Sequence, residues 1–373
     1  MIVFIIASIM EAVTLLGMSN VFDDNATALH HDFHEVTFWV DSPVIHPYLD
    51  APEVLFIRPD TTAVTTEAFF DGIEDGKAIY KARAYCDQIG NWSWTSGIYE
   101  GIFIVESSNL PGKLRIHPED PYQFAYDNGA WFLHIGDTGY RYVVDTEPEW
   151  QAYIDQAVVM GATKIRTWFC QSRSGVEALF TPDREALNLP YWQEIDRRLQ
   201  YALNQYPHVI FQLIPYGEDS QELMRYAEGD AMSRLVARYA QARFSAFPNV
   251  TWCVANDQIL LEDGASPDRR GVPTSIIDSI GRDMAAREPW ATLLTSHQSR
   301  FSGYAFTSAP WSDITTIEDL DQVSGALLLE YREIARKPVV NDEDRYELYR
   351  QPEHTPYFFR RLMWASPTSA VVL

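Results

Sequence analysis

The strongest constraint on this chain is a change in its hydrophobic rhythm near Trp131. Upstream, from residue 34 to about 108, short runs rich in Val, Ile, Phe, Tyr and Trp follow one another closely: HEVTFWV, EVLFIRP, AIYKARAYC, NWSWTS and EGIFIVE. Pro, Asp and Gly separate them. Tyr80, Ala82, Ala84 and Cys86 repeat with the period of two that marks a half-buried strand. This is the pattern of a small β-sandwich. Downstream, apolar runs of strand length alternate with helical patterns. The runs are WFLHIGDT (131–138), TKIRTWF (163–169), HVIFQLIPY (208–216), NVTWCVAND (249–257), ATLLTSHQ (291–298), SDITTI (312–317) and KPVVNDE (337–343). Between them lie amphipathic stretches such as 149–161, 191–206 and 233–247. Such alternation predicts a parallel sheet covered by helices.

Seven such strands in roughly 240 residues suit a (β/α)8 TIM-type barrel better than a doubly wound sheet, because barrels take about 250 residues. The segment IGDTGYR after the first run lacks the G-x-G-x-x-G spacing, so no dinucleotide is expected. The sequence reads PTSAVVL where an eighth strand falls due, and a truncated eighth strand is expected. The fold class is therefore α/β, a barrel preceded by a small all-β sandwich. Residues 1–30 form an unassigned apolar segment, 31–112 the sandwich and 113–373 the barrel.

Charge narrows the partners. The chain has 52 Asp plus Glu against 29 Lys plus Arg, a net charge of −23, and so repels phosphate backbones; no nucleic acid is expected. The opening MIVFIIASIMEAVTLLGM is apolar enough for a secretory signal, yet it carries no Lys or Arg and Glu11 interrupts it. A spanning helix needs about 20 apolar residues, so no membrane partner is expected. Location is secreted or periplasmic if this segment is a signal, and cytoplasmic otherwise. Cys86, Cys170 and Cys253 make no disulfide framework and read as core residues. His30, His31 and His34 lack a matched second pair of ligands, so no metal is expected. The oligomeric state is unknown from sequence.

In a barrel of this kind chemistry sits at the carboxyl ends of the strands. Those ends supply Asp137, Arg166 with Trp168, Tyr216 with Glu218 and Asp219, Asn256 with Asp257, His297, and Asp342 with Glu343. Carboxylates interleaved with aromatic rings suit a polyhydroxylated ligand: the acids accept sugar hydroxyls and the rings cover C–H faces. Glycoside hydrolysis needs two carboxyl groups about 5–5.5 Å apart for retention or 6.5–9.5 Å for inversion. Asp257 and Glu343, on the fourth and seventh strands, could span the mouth, with Arg166 or Arg345 keeping Glu343 ionised. By spacing alone Asp257 reads more readily as a helix N-cap, and Glu343 as part of a solvated acidic loop.

Longer motifs add a family. The stretch KLRIHPEDPYQFAYDNGAWFLHIGDTGYR (113–141) resembles the junction of a DUF5060-type β-sandwich with an apiosidase-like (DUF4038) glycoside hydrolase barrel. DGIEDGKAIYKARAYCDQIGNWSWTS (71–96) is similar to that sandwich, ARFSAFPNVTWCVANDQ (242–258) to the barrel's acid/base strand, and KPVVNDEDRYE (337–347) to its nucleophile strand. The resemblance implies a retaining glycosidase with Asp257 as acid/base and Glu343 as nucleophile. It also implies that Asp137 binds sugar and that His297 lies near the glycone. With Arg166, Trp168, Asn256 and Tyr346 as further substrate contacts, the expected reaction is cleavage of a glycosidic bond in a plant or algal polysaccharide or oligosaccharide, without metal or organic cofactor. Two alternatives stand beside it: an endo-glycanase on the same scaffold, and a catalytically inert carbohydrate-binding protein.

Overall fold

A computed structural model describes residues 20–21, 26–41, 44–169, 176–217, 221–260, 271–300, 302–318, 325–344 and 355–370. The amino-terminal region is built from β1 (Asn20–Val21), β2 (Ala26–Leu29), β3 (Phe33–Asp41), β4 (Glu53–Ile57), β5 (Ala63–Glu67), β6 (Phe69–Glu74), β7 (Lys77–Tyr85), β8 (Gly90–Ser96) and β9 (Tyr99–Glu106). One sheet runs β1-β9-β8-β4-β5, with β2 also on β9; the other runs β3-β7-β6. Alternation decides what faces inward. Along β9, Phe103 and Val105 are buried while Ile102 and Ile104 face out, and β8 buries Trp92 and Trp94. These side chains meet Phe38, Tyr80 and Ala82 of the second sheet in one core, as a sandwich requires.

The next segment departs from expectation. β10 (Leu114–Ile116), β11 (Phe124–Tyr126) and β12 (Trp131–Phe132) form an antiparallel sheet of their own. The run WFLHIGDT is thus split: its start pairs with β11, and only β13 (Gly136–Thr138) enters the parallel sheet. Leu114, Phe124, Tyr126 and Phe132 pack on Ile210, Leu293, Ile314 and Val340, which lie at the amino ends of parallel strands. The small sheet therefore seals the end of the parallel strands opposite the one where chemistry is expected.

The parallel strands are β13, β14 (Lys164–Trp168), β15 (Ile210–Ile214), β16 (Val250–Cys253), β17 (Leu294–Thr295), β18 (Thr315–Glu318) and β19 (Val339–Glu343). β13 to β17 hydrogen-bond in sequence order, and β18 pairs with β19. Side chains join the two groups: Asp313 Oδ2 accepts from Leu294 N at 2.8 Å, and Thr295 Oγ1 donates to Ile314 O at 2.7 Å. β14, β15, β16 and β18 are buried throughout, because helices cover one face and the interior the other. Among the described residues no eighth parallel strand lies between β19 and β13; Lys164, on β14, instead reaches Asp342 of β19 at 2.8 Å.

The covering helices are α1 (Glu147–Val159), α2 (Leu189–Gln205), α3 (Gln221–Glu228), α4 (Ala231–Phe244), α5 (Thr274–Arg287), α6 (Ala326–Ile334) and α7 (Pro356–Ala370). α1 starts where Glu149 accepts from Thr146 N, and α4 where Asp230 accepts from Ser233 N at 2.7 Å. Among the described residues no helix is long and apolar enough to cross a membrane.

Sandwich and α/β region meet across a buried ionic cluster. Arg83 of β7 holds Glu35 at 2.7 Å and Asp196 of α2 at 2.6 Å, while Arg243 of α4 holds Asp71 at 2.8 Å and also meets Asp196. Lys81 completes it on Glu35 and Asp71. Asp71 reaches inward because β6 carries a bulge: Phe70 pairs with Tyr80 and Gly72 with Ile79, leaving Asp71 as the extra residue. Lys113 ties the same regions together, its Nζ donating to Ser245 O, Phe247 O and Thr292 Oγ1 at 2.7 to 2.9 Å.

Candidate active site

The site begins with the period of two along β14. Lys164, Arg166 and Trp168 share the inner face, whereas Ile165 joins the core beneath the helices. Arg166 is almost wholly buried, and its Nη2 donates to Glu343 Oε2 at 2.8 Å and to Tyr140 Oη at 2.6 Å. A buried guanidinium keeps its charge, and Tyr140, Asp342 and Glu343 outweigh burial to push its proton affinity higher still.

Two adjacent acids reach inward from β19 because this strand also carries a bulge. Ile317 pairs with Asn341 and Glu318 with Glu343, so Asp342 is the extra residue. Strict alternation would send one of the two acids outward. Here Asp342 lies on Lys164 at 2.8 and 2.9 Å and Glu343 on Arg166. Burial opposes ionisation of Asp342, but Lys164, His134 and Arg166 overcome it and hold the carboxyl well below the usual range. Asp342 is thus the permanent counter-ion beneath the mouth.

On the loop after β16, Asn256 donates through Nδ2 to Tyr140 Oη at 3.2 Å. Asp257 follows with φ of 47°, in the left-handed region that a non-glycine residue rarely adopts. Its backbone N donates to His297 Nδ1 at 3.1 Å. An accepting Nδ1 puts the imidazole proton on Nε2. Burial, with Arg166 next, holds the His297 proton affinity well below its ordinary value, so the ring is neutral. Among the described residues, the polar atoms near these strand ends that are buried without a hydrogen-bond partner include Trp168 Nε1, Asp257 Oδ1, His297 Nε2 and Gln298 Oε1. Tyr140 stacks on Trp168 with ring centroids 4.4 Å apart.

The structure therefore gathers Arg166, Trp168, Asn256, Asp257, His297 and Glu343 around one mouth. Asp137 stands apart from this group on an exposed strand. It pairs with Ile165, shares that residue's helix-facing side, and its Oδ2 accepts from Tyr153 of α1 at 2.9 Å. Tyr153 lies so close to Gly139 that a Cβ there would stand 2.5 Å from its ring. Tyr216 is buried beneath the mouth and donates to Ser233 O. Tyr346, Glu218, Asp219, Arg345 and Cys170 lie outside the described residues. Cys253 is inert: burial raises its thiol to about 12. Cys86 is buried and free as well.

Two residues of the mouth escape the strand-end reading. Tyr140 stands three positions beyond Asp137, past the end of its strand. Glu318 immediately follows the run SDITTI; extending that run by one residue would have found it.

The family comparison places this parallel α/β fold, with acids gathered at its strand ends, among the glycosidases. Residues 119–371 match the apiosidase-like catalytic domain, and the chain belongs to that family. Among solved structures, a candidate glycoside hydrolase from Bacteroides vulgatus superposes with a TM-score of 0.72 at 20% identity, covering 91% of this chain and 70% of that one. A further glycoside hydrolase gives 0.54 at 18% identity, with 70% and 65% covered. A family 5 glycoside hydrolase from Bacteroides vulgatus gives 0.53 at 17% identity, with 71% and 62% covered. The chain thus spans about two thirds of the length of these neighbours, and at such identities they speak for the fold alone. Curated protein sequences give no match.

Proposed function

We propose that the chain hydrolyses a glycosidic bond in a plant or algal polysaccharide or oligosaccharide, with retention of anomeric configuration and without metal or organic cofactor. Glu343 attacks the anomeric carbon as the glycosidic C–O bond breaks, and Asp257 gives its proton to the departing oxygen. Asp257 then takes a proton from water, whose oxygen displaces Glu343 and restores both carboxyl groups. The observation that carries this reading is the asymmetry of the two acids. Glu343 is held ready on a buried guanidinium, whereas Asp257 sits in strained backbone with Oδ1 unpartnered. A nucleophile needs a fixed negative charge; an acid/base needs a free oxygen.

Arg166, Trp168, Asn256, His297 and Tyr346 hold sugar hydroxyls in this scheme. The unpartnered Trp168 Nε1 and His297 Nε2 supply donors. Asp137, exposed beside Tyr153, is a further sugar contact in the scheme. The sandwich over 31–112 serves as a wall for a (β/α)8-type barrel with a truncated eighth strand over 113–373. The test is reducing-sugar release from a panel of plant and algal glycans by the wild type, Glu343→Ala and Asp257→Ala. Activity confined to the wild type, with all three folded, supports the proposal, and product lengths separate endo from exo action. Glycan binding without turnover, undiminished in both variants, would replace it with the binding-protein reading.

A further inference from the structure

The left-handed backbone of Asp257, with φ of 47°, lasts only where its surroundings fix it. The residue that follows supplies much of that fixing and has no part in the scheme above. Gln258 is buried, and its side chain turns back past Asp257: Nε2 donates to Asn256 O and to Gly217 O, each at 3.0 Å. Two carbonyl acceptors decide which end of the amide faces them, since only its NH2 can donate. Asn256 O belongs to the same peptide as Asp257 N, which donates to His297 Nδ1 at 3.1 Å. Both polar atoms of the peptide before Asp257 are therefore engaged. The peptide after it is engaged as well, because Gln258 N donates to His297 O at 3.3 Å in the bridge between Gln258 and Gln298. Ser299 N closes that bridge on Gln258 O at 2.9 Å. Gly217 O extends the clamp to the loop after β15, where a Cβ on Gly217 would stand 3.5 Å from the Trp168 ring.

We propose that Gln258 is a positioning residue for Asp257: its amide locks the peptide ahead of the strained residue and so aims the carboxyl at the departing glycosidic oxygen. This rests on the acid/base role assigned to Asp257. The two peptide planes that flank a residue set the direction of its Cα–Cβ bond, so turning the first of them swings the carboxyl across the mouth. A displacement of about 1 Å at a reacting group can cost on the order of 10²-fold in rate. Without the Gln258 amide, two buried carbonyls lose their donor, and the turn has reason to relax out of the left-handed region. Gln258 touches no reacting atom and acts only through the backbone of its neighbour.

The experiment compares the wild-type chain with Gln258→Met, an unbranched side chain of similar length with no donor. Two glycosides of the sugar that the wild type releases serve as substrates. The oxygen leaving an alkyl glycoside needs a proton, and that leaving a dinitrophenyl glycoside does not. In Gln258→Met, kcat/KM should fall by about 10–10²-fold on the alkyl glycoside and stay within about threefold on the dinitrophenyl one. A merely structural role would lower both alike, so equal losses in folded Gln258→Met, or none, overturn the proposal. Asp257→Asn, run alongside, tests the parent reading: without the same split between substrates, the acid assignment falls instead. A second arm needs neither substrate nor variant. In the full wild-type chain, hydrogen exchange followed by NMR should find the Asp257 amide slowed by about 10²-fold or more relative to an unprotected loop amide. Exchange at the unprotected rate overturns the proposal even if Gln258→Met fails to fold.

Discussion

Two buried ionic clusters, one between sandwich and α/β region and one at the mouth, use the same device to different ends. Each receives an acid from a β-bulge, Asp71 in the first and Asp342 in the second. At the interface Lys81, Arg83 and Arg243 face Glu35, Asp71 and Asp196, and the charges balance. Burial works against Glu35 and Asp71, yet their cationic partners prevail and hold both carboxyls below the usual range. At the mouth Asp257, Glu318, Asp342 and Glu343 face Lys164, Arg166 and Arg300, an acid in excess. There Glu318 is pushed up to about 7, and polar atoms are left unpartnered. A balanced cluster holds two parts of a chain together. An unbalanced one retains a proton to move and groups for a ligand to satisfy.

The comparison can be broken most severely at the mouth. Glu343→Gln should lower kcat by on the order of 10³-fold or more while circular dichroism and Tm stay near wild type. Asp257→Asn should cost about 10²–10⁴-fold on natural glycosides, and much less on an aryl glycoside whose leaving group needs no proton. The interface should respond in the opposite sense. Arg243→Ala leaves Asp71 to Lys81 and Asp196 to Arg83, an acid in excess within the cluster, and should destabilise the fold by about 3 kcal/mol in urea titrations, with kcat of the folded fraction retained.

Acid should act on the interface as well. Glu35 and Asp71 have depressed folded-state values, so their stabilisation is full above the unfolded carboxylate range of about 4 and fades as pH falls below it. Melting temperatures taken downward from pH 5 should show this loss, and Arg243→Ala should show less of it. The smallest effect concerns Lys113, whose ammonium is lowered by burial from 10.5 to about 7. Between those values the unfolded chain binds more protons than the folded one, so this group makes stability rise with pH. Lys113→Met should flatten that part of the Tm profile relative to wild type.

Much of this was legible in the sequence, for definite reasons. Period-two runs mark the sandwich strands, and full burial makes β15 a nearly continuous apolar run; both survive in the structure. The strand-end rule leads directly to Arg166, Asn256, Asp257, His297 and Glu343. Asp137 stands apart from these, because β13 is only three residues long and that exposed side chain meets Tyr153 of α1. The bulges at Asp71 and Asp342 break the very period on which sequence reading depends. The β10–β12 sheet was hidden because Trp131 and Phe132 continue seamlessly into the first parallel strand's motif. Glu318 was missed because its neighbours in space, Asp257 and Glu343, are distant in sequence.

The most direct measurement of the central claim is azide rescue of Glu343→Gly, on an aryl glycoside of whichever sugar the glycan panel releases. With the nucleophile's side chain removed, azide should enter from its side, restore turnover and yield a glycosyl azide of inverted anomeric configuration. Absence of rescue in folded Glu343→Gly, together with an inverted azide from Glu318→Gly or Asp257→Gly, would contradict the assignment of Glu343 as the nucleophile.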